Sequence, residues 1–294
     1  MGAIFISGIV LGLKCELVRM ATSDGLELQG LLFEPAKPGR RAVIHLHGWT
    51  GNFYENAFID HLAKHITAAG AAFLTMNTRG AGHVQEFIRT GRRECIKIGG
   101  SLERFEDSVK DVGAAVSFLT GRGYRCLFLG GHSTACQKAV HYYLKRGGIE
   151  GLILLEPTDD PAVSAKLLGK RYEEAMTYAK RLVEDGRPLD PMPSWMPFGV
   201  QLSAQKFLSM SDPKSVEGRL FNYSGELEEL RKIKCPALVV YGAKTSFQNK
   251  PEEKLKMLKK AIPTCETKLI DSDHWFSGHE KELGLAVAKW LMKT

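Results

Sequence analysis

Short apolar runs alternate with segments of helical periodicity, and this alternation restricts the fold of the chain more than any other feature. Apolar runs with the length of a strand occupy residues 15–22, 26–34, 41–48, 71–77, 126–131, 151–157, 237–242 and 267–270. Apolar residues recur at helical spacing in residues 53–71, 108–123 and 134–148. Strands that alternate with helices pair in parallel through right-handed crossovers. We therefore expect an α/β fold with a mainly parallel central sheet and helices on both faces.

One long interruption divides this alternation. After Pro157 there is no strand pattern until about residue 233, and the interruption carries a charged helical segment at 164–186 followed by a stretch rich in Pro, Met and Trp. A segment that leaves the carboxyl end of one parallel strand and returns before the next lies over the sheet edge where such folds bind ligands. The sequence therefore predicts a core of residues 1–157 and 234–294, with residues 158–233 forming an inserted cap subdomain.

The chain carries a net charge of +7, and part of the excess lies in residues 88–97, which contain Arg89, Arg92, Arg93 and Lys97. A nucleic-acid-binding surface combines such charges with aromatic side chains or a recognisable motif, and the sequence has neither here. We expect a solvated basic face that steers anionic substrates weakly, and no nucleic-acid partner.

The six cysteines are scattered without the spacing of metal ligands. We expect no metal, no disulfide framework and reduced thiols, which favour a cytoplasmic location. The apolar run at residues 2–13 is shorter than the roughly 20 residues that span a bilayer, and it lacks the flanks of a signal peptide. We interpret it as a strand or packed arm and expect no membrane span. The sequence predicts no oligomeric state.

A candidate nucleophile lies where the run 126–131 meets the helical segment 134–148. The chain turns tightly there at Ser133, with the small residues Gly131 and Ala135 two positions to either side. This small-x-nucleophile-x-small pattern is typical of a nucleophile elbow, in which larger flanking residues would clash. The alternative is a serine that only caps a helix. His132 and Cys136 are expected to pack as scaffold.

Two further elements of an acyl-transfer site occur at matching places in the chain. His274 follows the last predicted strand and is the candidate general base, whereas His279 lies at the start of the last helix and is expected to point to solvent. The turn at Gly48 allows a backbone N–H to face the nucleophile, so the amides of Trp49 and Thr134 are the predicted oxyanion hole.

The carboxylate that would orient the base is missing from its usual place. Thr245 and Ser246 follow the run 237–242 where an acid is expected. Glu156 ends another apolar strand, a position where a charge needs a partner, and we predict that it replaces the missing acid. Asp160 is the second candidate and Asp159 the third, both expected to be solvated or to cap the next helix.

The segments "HLHGWTGN", "NTRGAGH", "GGHSTACQ" and "DSDHWF" resemble α/β-hydrolase motifs in the right order across about residues 25–292. This resemblance implies an α/β-hydrolase fold with a serine nucleophile, and some members of the superfamily, such as haloalkane dehalogenases, carry their acid at the strand end equivalent to Glu156. "GHSTACQKAVHYYL" and "QLSAQKFLSMSDP" resemble a group of mostly uncharacterised hydrolases that includes fungal siderophore esterases. That likeness implies hydrolysis of an ester bond in a bulky small molecule held beneath the cap.

The sequence therefore predicts a serine carboxylic-ester hydrolase that works through an acyl-enzyme without a cofactor. Trp195, Met196 and Phe198 either bind an apolar acyl group or pack the cap onto the core. A thioesterase or an amidase would use the same three side chains. A ligand-binding pseudoenzyme is the non-catalytic alternative, suggested by Thr245 in place of the acid.

Overall fold

The computed structural model describes residues 6–10, 12–92 and 94–294. Its strands are β1 (Ile6–Val10), β2 (Leu13–Ala21), β3 (Glu27–Phe33), β4 (Arg41–Leu46), β5 (Ala72–Met76), β6 (Gln85–Ile88), β7 (Cys95–Ile98), β8 (Cys126–His132), β9 (Gly151–Leu155), β10 (Ala237–Gly242) and β11 (Cys265–Ile270). Strands β6 and β7 form a separate hairpin. The others form one sheet in the order β1-β2-β3-β5-β4-β8-β9-β10-β11.

The sheet is parallel from β5 to β11 and antiparallel from β1 to β5. The predicted mainly parallel sheet is therefore confirmed. Its parallel strands all end at one edge, where the segments after β8, β9 and β11 carry Ser133, Glu156 and His274. Residues distant in the chain thus meet at one edge because of strand order alone.

The helices are α1 (Phe58–Ala68), α2 (Ser108–Gly121), α3 (Ala135–Arg146), α4 (Asp160–Leu168), α5 (Tyr172–Glu184), α6 (Ala204–Ser211), α7 (Pro251–Ala261) and α8 (Glu280–Leu291). Helices α1 and α8 pack in one apolar cluster against the sheet, and α2, α3 and α7 pack in another. In β4, Ala42 and Ile44 belong to the second cluster and Val43 to the first, as expected when successive side chains point to opposite faces. The prediction of helices on both faces is confirmed.

The long segment between β9 and β10 carries α4, α5 and α6, which share an apolar cluster of their own. The helix expected at 164–186 is instead two helices, because the chain adopts φ +53° at Gly169, outside the helical region. The short α6 was not predicted. The division into a core and a cap at residues 158–233 stays a prediction.

The first helix begins later than its apolar spacing suggests. The prediction covered residues 53–71, but α1 starts at Phe58. The Phe53 amide donates to the Asn77 side chain at 3.1 Å, which holds the chain outside the helix. The spacing of apolar residues in the sequence gives no sign of this tertiary contact, so the start of the helix could not be predicted from it.

Of the basic residues singled out above, Arg93 lies outside the described residues. Arg89 and Arg92 approach Glu94 at 3.7 and 3.8 Å in the β6–β7 hairpin, and Lys97 is exposed. Residues 2–5 and 11 of the apolar N-terminal run lie outside the described residues, and residues 6–10 form β1, the first of the two alternatives, a strand or a packed arm, that the sequence suggested. Within the described chain, none of the helices has the length and apolar character needed to cross a membrane.

Four buried charges join the long segment to the core. Lys206 of α6 donates to Glu103 at 3.2 Å and to Glu217 at 2.9 and 3.1 Å, while Lys138 of α3 donates to Glu103 at 2.7 Å. All four side chains are at most 2% exposed. Burial alone would lower the pKa of Lys206, but the two carboxylates raise it, so the ammonium stays charged. The cluster is electrically balanced, and each charge depends on its partners.

We predict that Lys206→Met destabilises the fold by about 3–5 kcal/mol, because it leaves Glu217 buried without its cation. Equilibrium unfolding in urea measures the change. Lys214→Met, at an exposed lysine a few residues beyond α6, is the control and should change the free energy of unfolding little. Equal effects of the two substitutions would contradict the role given to the buried cluster.

Candidate active site

Ser133 lies in a strained turn between β8 and α3. Its φ of +57° is in the left-handed region, which residues with a Cβ adopt rarely. The Ser133 amide donates to the Leu155 carbonyl at 2.9 Å, so the turn is tied to the neighbouring strand. A Cβ added at Gly131 would lie 2.4 Å from the Ala135 carbonyl oxygen, which explains the small residue there. This is the geometry expected of a nucleophile elbow.

Glu156 and His274 form a buried pair. Nδ1 of His274 lies 2.9 Å from Oε2 of Glu156, and the Gly242 amide donates to Oε1. The two residues are 118 positions apart in the chain, and Glu156 is 0% and His274 3% exposed. A carboxylate at Nδ1 places the proton on that nitrogen and leaves Nε2 as an acceptor. The acid predicted at the end of β9 is thus beside the predicted base.

Burial governs the ionisation of this pair. It raises the pKa of Glu156 to about 7, although the Gly242 amide and the nearby Thr245 hydroxyl favour the charged form. It also lowers the pKa of His274 to about 4, with Asp273 opposing the shift. The imidazole is therefore neutral at pH 7 and can accept a proton. Titration near neutral pH belongs to the pair as a unit, because the two groups share a hydrogen bond.

The ring of His274 is enclosed by aromatic side chains. Phe247 lies 4.4 Å from it and Trp275 5.3 Å, measured between ring centroids. His132 lies 4.7 Å away, and its Nε2 donates to the His274 carbonyl at 2.9 Å. His132 is buried beneath the elbow, as expected for scaffold. The thiol of Cys136 is also buried and donates to the Gly131 carbonyl at 3.1 Å.

Neither of the other candidate acids is bonded to the base. Asp159 caps α4 by accepting from the Ala162 amide, as the sequence suggested. Asp160 is buried rather than solvated and accepts from Gln137 at 2.8 Å and from Thr158 at 2.6 Å. Burial, with a contribution from Glu217, raises the pKa of Asp160 well above its usual range. His279 is partly exposed and lies 3.4 Å from Glu282.

The two residues predicted to supply the oxyanion amides, Trp49 and Thr134, line the same cavity as Ser133. Within the part of the chain that the structure describes, neither the Trp49 amide nor the Thr134 amide donates a hydrogen bond to another protein group. A Cβ at Gly48 would lie 3.2 Å from Cβ of Ser133, so glycine permits the close approach of this turn to the elbow. Nε2 of His47 accepts from the Thr78 amide at 3.0 Å, and its Nδ1 donates to the Gly48 carbonyl at 2.7 Å. Both bonds fix the turn.

A cavity of about 380 Å³ opens onto Ser133 and His274. Phe198 lines it, but Trp195 and Met196 do not: Met196 faces a different groove, and the ring of Trp195 packs beneath the Arg171 guanidinium. Of the three predicted substrate contacts, the structure brings only Phe198 to the site. Sequence reasoning missed other apolar lining residues, namely Val163, Leu167, Met210, Phe247 and Trp275.

The sequence offered partial signals for these missed residues. Trp275 adjoins the candidate base, and Phe247 adjoins the position where an acid was expected. The three from α4 and α6 carry no signal that separates a cavity wall from ordinary helix packing. No group of three or more His, Cys, Asp or Glu side chains in the described ranges is placed to hold a metal ion.

Comparison with known proteins agrees with this architecture. A profile for a family described as protein of unknown function (DUF1749) matches residues 32–278. No match is found among curated proteins. Est1E from Butyrivibrio proteoclasticus is 17% identical, with a TM-score of 0.67 over 94% of this chain and 98% of that one. The esterase Pf2001 from Pyrococcus furiosus is 16% identical, with a TM-score of 0.60 over 99% of both chains.

A third similar structure is the α/β hydrolase GrgF from Penicillium sp. sh18. It is 15% identical, with a TM-score of 0.67 over 95% of this chain and 98% of that one. At these identities the likeness concerns the fold, and the expected α/β-hydrolase fold is confirmed.

We predict that Gly131→Ala destabilises the protein by about 1–3 kcal/mol, because the added methyl group overlaps the first turn of α3. Urea unfolding measures the loss. Gly113→Ala in α2 is the matched control: apart from its chain neighbours and the adjoining backbone of α2, no described atom lies within 4 Å of its added Cβ, so it should stabilise the helix by up to about 1 kcal/mol. Equal unfolding free energies for the two variants would contradict the close approach at the elbow.

Proposed function

The chain belongs to the DUF1749 family and has the α/β-hydrolase fold, and on this premise we propose that it hydrolyses carboxylic esters through an acyl-enzyme. Ser133 is the nucleophile, His274 the general base and Glu156 the acid that orients the base. The amides of Trp49 and Thr134 form the oxyanion hole. The proposal rests above all on the Glu156–His274 hydrogen bond, which lies at the same cavity as the strained Ser133.

Acylation starts with attack of Ser133 Oγ on the ester carbonyl carbon. Nε2 of His274 accepts the hydroxyl proton, and Glu156 stabilises the resulting imidazolium through Nδ1. The carbonyl oxygen gains negative charge in the tetrahedral intermediate and accepts hydrogen bonds from the Trp49 and Thr134 amides. When the ester C–O bond breaks, the imidazolium returns the proton to the departing alcohol.

Deacylation repeats these steps with water. His274 accepts a proton from the attacking water, the oxyanion again lies against the two amides, and Ser133 leaves as the carboxylic acid forms. The proton on the imidazolium then returns to the Ser133 oxygen. The neutral imidazole at pH 7 supports this cycle, since His274 must begin each half as an acceptor.

The cavity favours a small-molecule ester with an apolar or aromatic acyl group. Its volume of about 380 Å³ is in the range of small-ligand sites. Trp49, Phe198 and Phe247 supply aromatic surface, and Lys and Arg are absent from its described lining. The interpretation of residues 158–233 as a cap fits this use, because Val163 and Met210 from that segment form part of the wall.

Thioesters and amides would react through the same three side chains, and no observation favours them over esters. The pseudoenzyme alternative arose because Thr245 stands where an acid was expected. That argument is weaker because Glu156 lies 2.9 Å from the base. The orienting carboxylate would then come from the end of another strand.

Labelling with a fluorophosphonate probe tests the nucleophile. We expect the intact protein to be labelled and Ser133→Ala not to be labelled. Ser164→Ala is the control, because Ser164 is another serine lining the same cavity and labelling should persist without it. Labelling that survives loss of Ser133, or a complete lack of labelling in the intact protein, would overturn the proposal.

Hydrolysis of a short p-nitrophenyl ester tests the acid. Glu156→Gln keeps the shape of the side chain but removes its charge, and we expect kcat to fall by about 10² to 10⁴. Asp160→Asn should retain most of the activity, because Asp160 is bonded to Gln137 and Thr158 rather than to the base. Near-full activity of Glu156→Gln would show that the acid is assigned wrongly.

A further inference from the structure

Glu156 is held in an unfavourable backbone conformation that the proposed reaction requires. Its φ is +54°, in the left-handed region that residues other than glycine rarely adopt. Such a conformation persists only where neighbouring groups determine it. The Glu156 amide donates to the Val240 carbonyl at 2.8 Å, which fixes one side of the residue to β10. Another contact must fix the other side.

That contact is made at the next residue. The carbonyl oxygen of Pro157 accepts from the Tyr241 hydroxyl at 2.5 Å and from Nε2 of Gln248 at 3.3 Å. The Tyr241 side chain is fully buried, and Gln248 is 6% exposed. Tyr241 directly precedes Gly242, whose amide donates to the Glu156 carboxylate. Two consecutive residues of β10 therefore bind two consecutive residues after β9.

A second tyrosine extends this chain of hydrogen bonds. The hydroxyls of Tyr223 and Tyr241 are 2.6 Å apart. Tyr241 donates to a carbonyl, so Tyr223 must donate to Tyr241. Tyr223 lies in the long segment between β9 and β10, and its amide donates to Asp159 at 3.0 Å. Burial raises the pKa of both tyrosines well above its usual range, so both hydroxyls keep their protons.

We propose that Tyr241 is a positioning residue for the Glu156 carboxylate, acting through the Pro157 carbonyl. The hydroxyl holds the left-handed turn after β9, and the turn directs the carboxylate between the Gly242 amide and Nδ1 of His274. An acid located after β9 needs this clamp, because the turn that carries it is strained. The role rests on the proposed function of the site.

Tyr241→Phe tests the role because it keeps the ring and removes only the hydroxyl. With a p-nitrophenyl ester we expect kcat to fall roughly tenfold to a hundredfold while KM changes less than about twofold, the pattern of a lost transition-state interaction. A less well held carboxylate also loses part of the Gly242 hydrogen bond, which favours the charged form. The rise of kcat/KM with pH should therefore move to higher pH.

A double-mutant cycle separates positioning from general packing. If Tyr241 acts through Glu156, Tyr241→Phe should change kcat less than about threefold in a Glu156→Gln background. Tyr143→Phe is the matched control, since that hydroxyl accepts from the Lys234 and Cys235 amides just before the opposite end of β10. It should leave kcat and the pH profile unchanged.

Each result of these measurements either supports or overturns the positioning role of Tyr241. An unchanged kcat and pH profile in Tyr241→Phe, or an equal loss in both backgrounds, would overturn the positioning role while the wild-type activity stands. If the wild type shows no hydrolysis that depends on Ser133, the proposed function fails, and this role fails with it. Should Tyr241→Phe not fold, Gln248→Leu removes the other donor to Pro157. Its loss of kcat should likewise appear only when Glu156 is present.

Discussion

The hydrogen bond between Glu156 and His274 depends on the order of three strands. Strand β9 ends at the acid and β11 leads to the base, while β10 lies between them and ends at Gly242. A Cβ at Gly242 would lie 2.4 Å from the Asp273 carbonyl oxygen, so the loop that carries His274 passes directly over the end of β10. This contact allows one backbone amide to reach the carboxylate that faces the imidazole. The Glu156–His274 pair therefore depends on Gly242, although this glycine itself neither donates nor accepts the proton in catalysis.

Two residues with strained backbone lie at the same sheet edge. Ser133 and Glu156 both have positive φ, and each directly follows a parallel strand, β8 and β9 respectively. The Ser133 amide donates to the carbonyl of Leu155, the residue before Glu156, so the two strained turns share a hydrogen bond. Each conformation costs about 1–3 kcal/mol and is maintained by the surrounding bonds. Two of the three side chains proposed for chemistry, Ser133 and Glu156, therefore lie on strained backbone.

Much of this arrangement could be predicted because its signals are local. Alternating apolar runs and helical segments predict the parallel sheet, and small residues around Ser133 predict the elbow. Glu156 could be selected because a charge at the end of an apolar strand is anomalous. Other features depend on tertiary contacts that no local pattern contains. The break at Gly169 resembles an ordinary helix glycine in sequence, and the apolar character of Trp195 does not show which surface it faces.

The buried charges beside the site illustrate this limit further. Lys206 looks in sequence like a surface residue of a short helix, but it is fully buried between Glu103 and Glu217. Glu103 also binds Lys138, which lies on α3, the helix that starts two residues after the proposed nucleophile. Helix α6 supplies Met210 to the cavity wall. The wall and the elbow are therefore joined through one set of paired charges. Because separating such a pair leaves a charge buried without its partner, the cluster resists movement of the wall relative to Ser133.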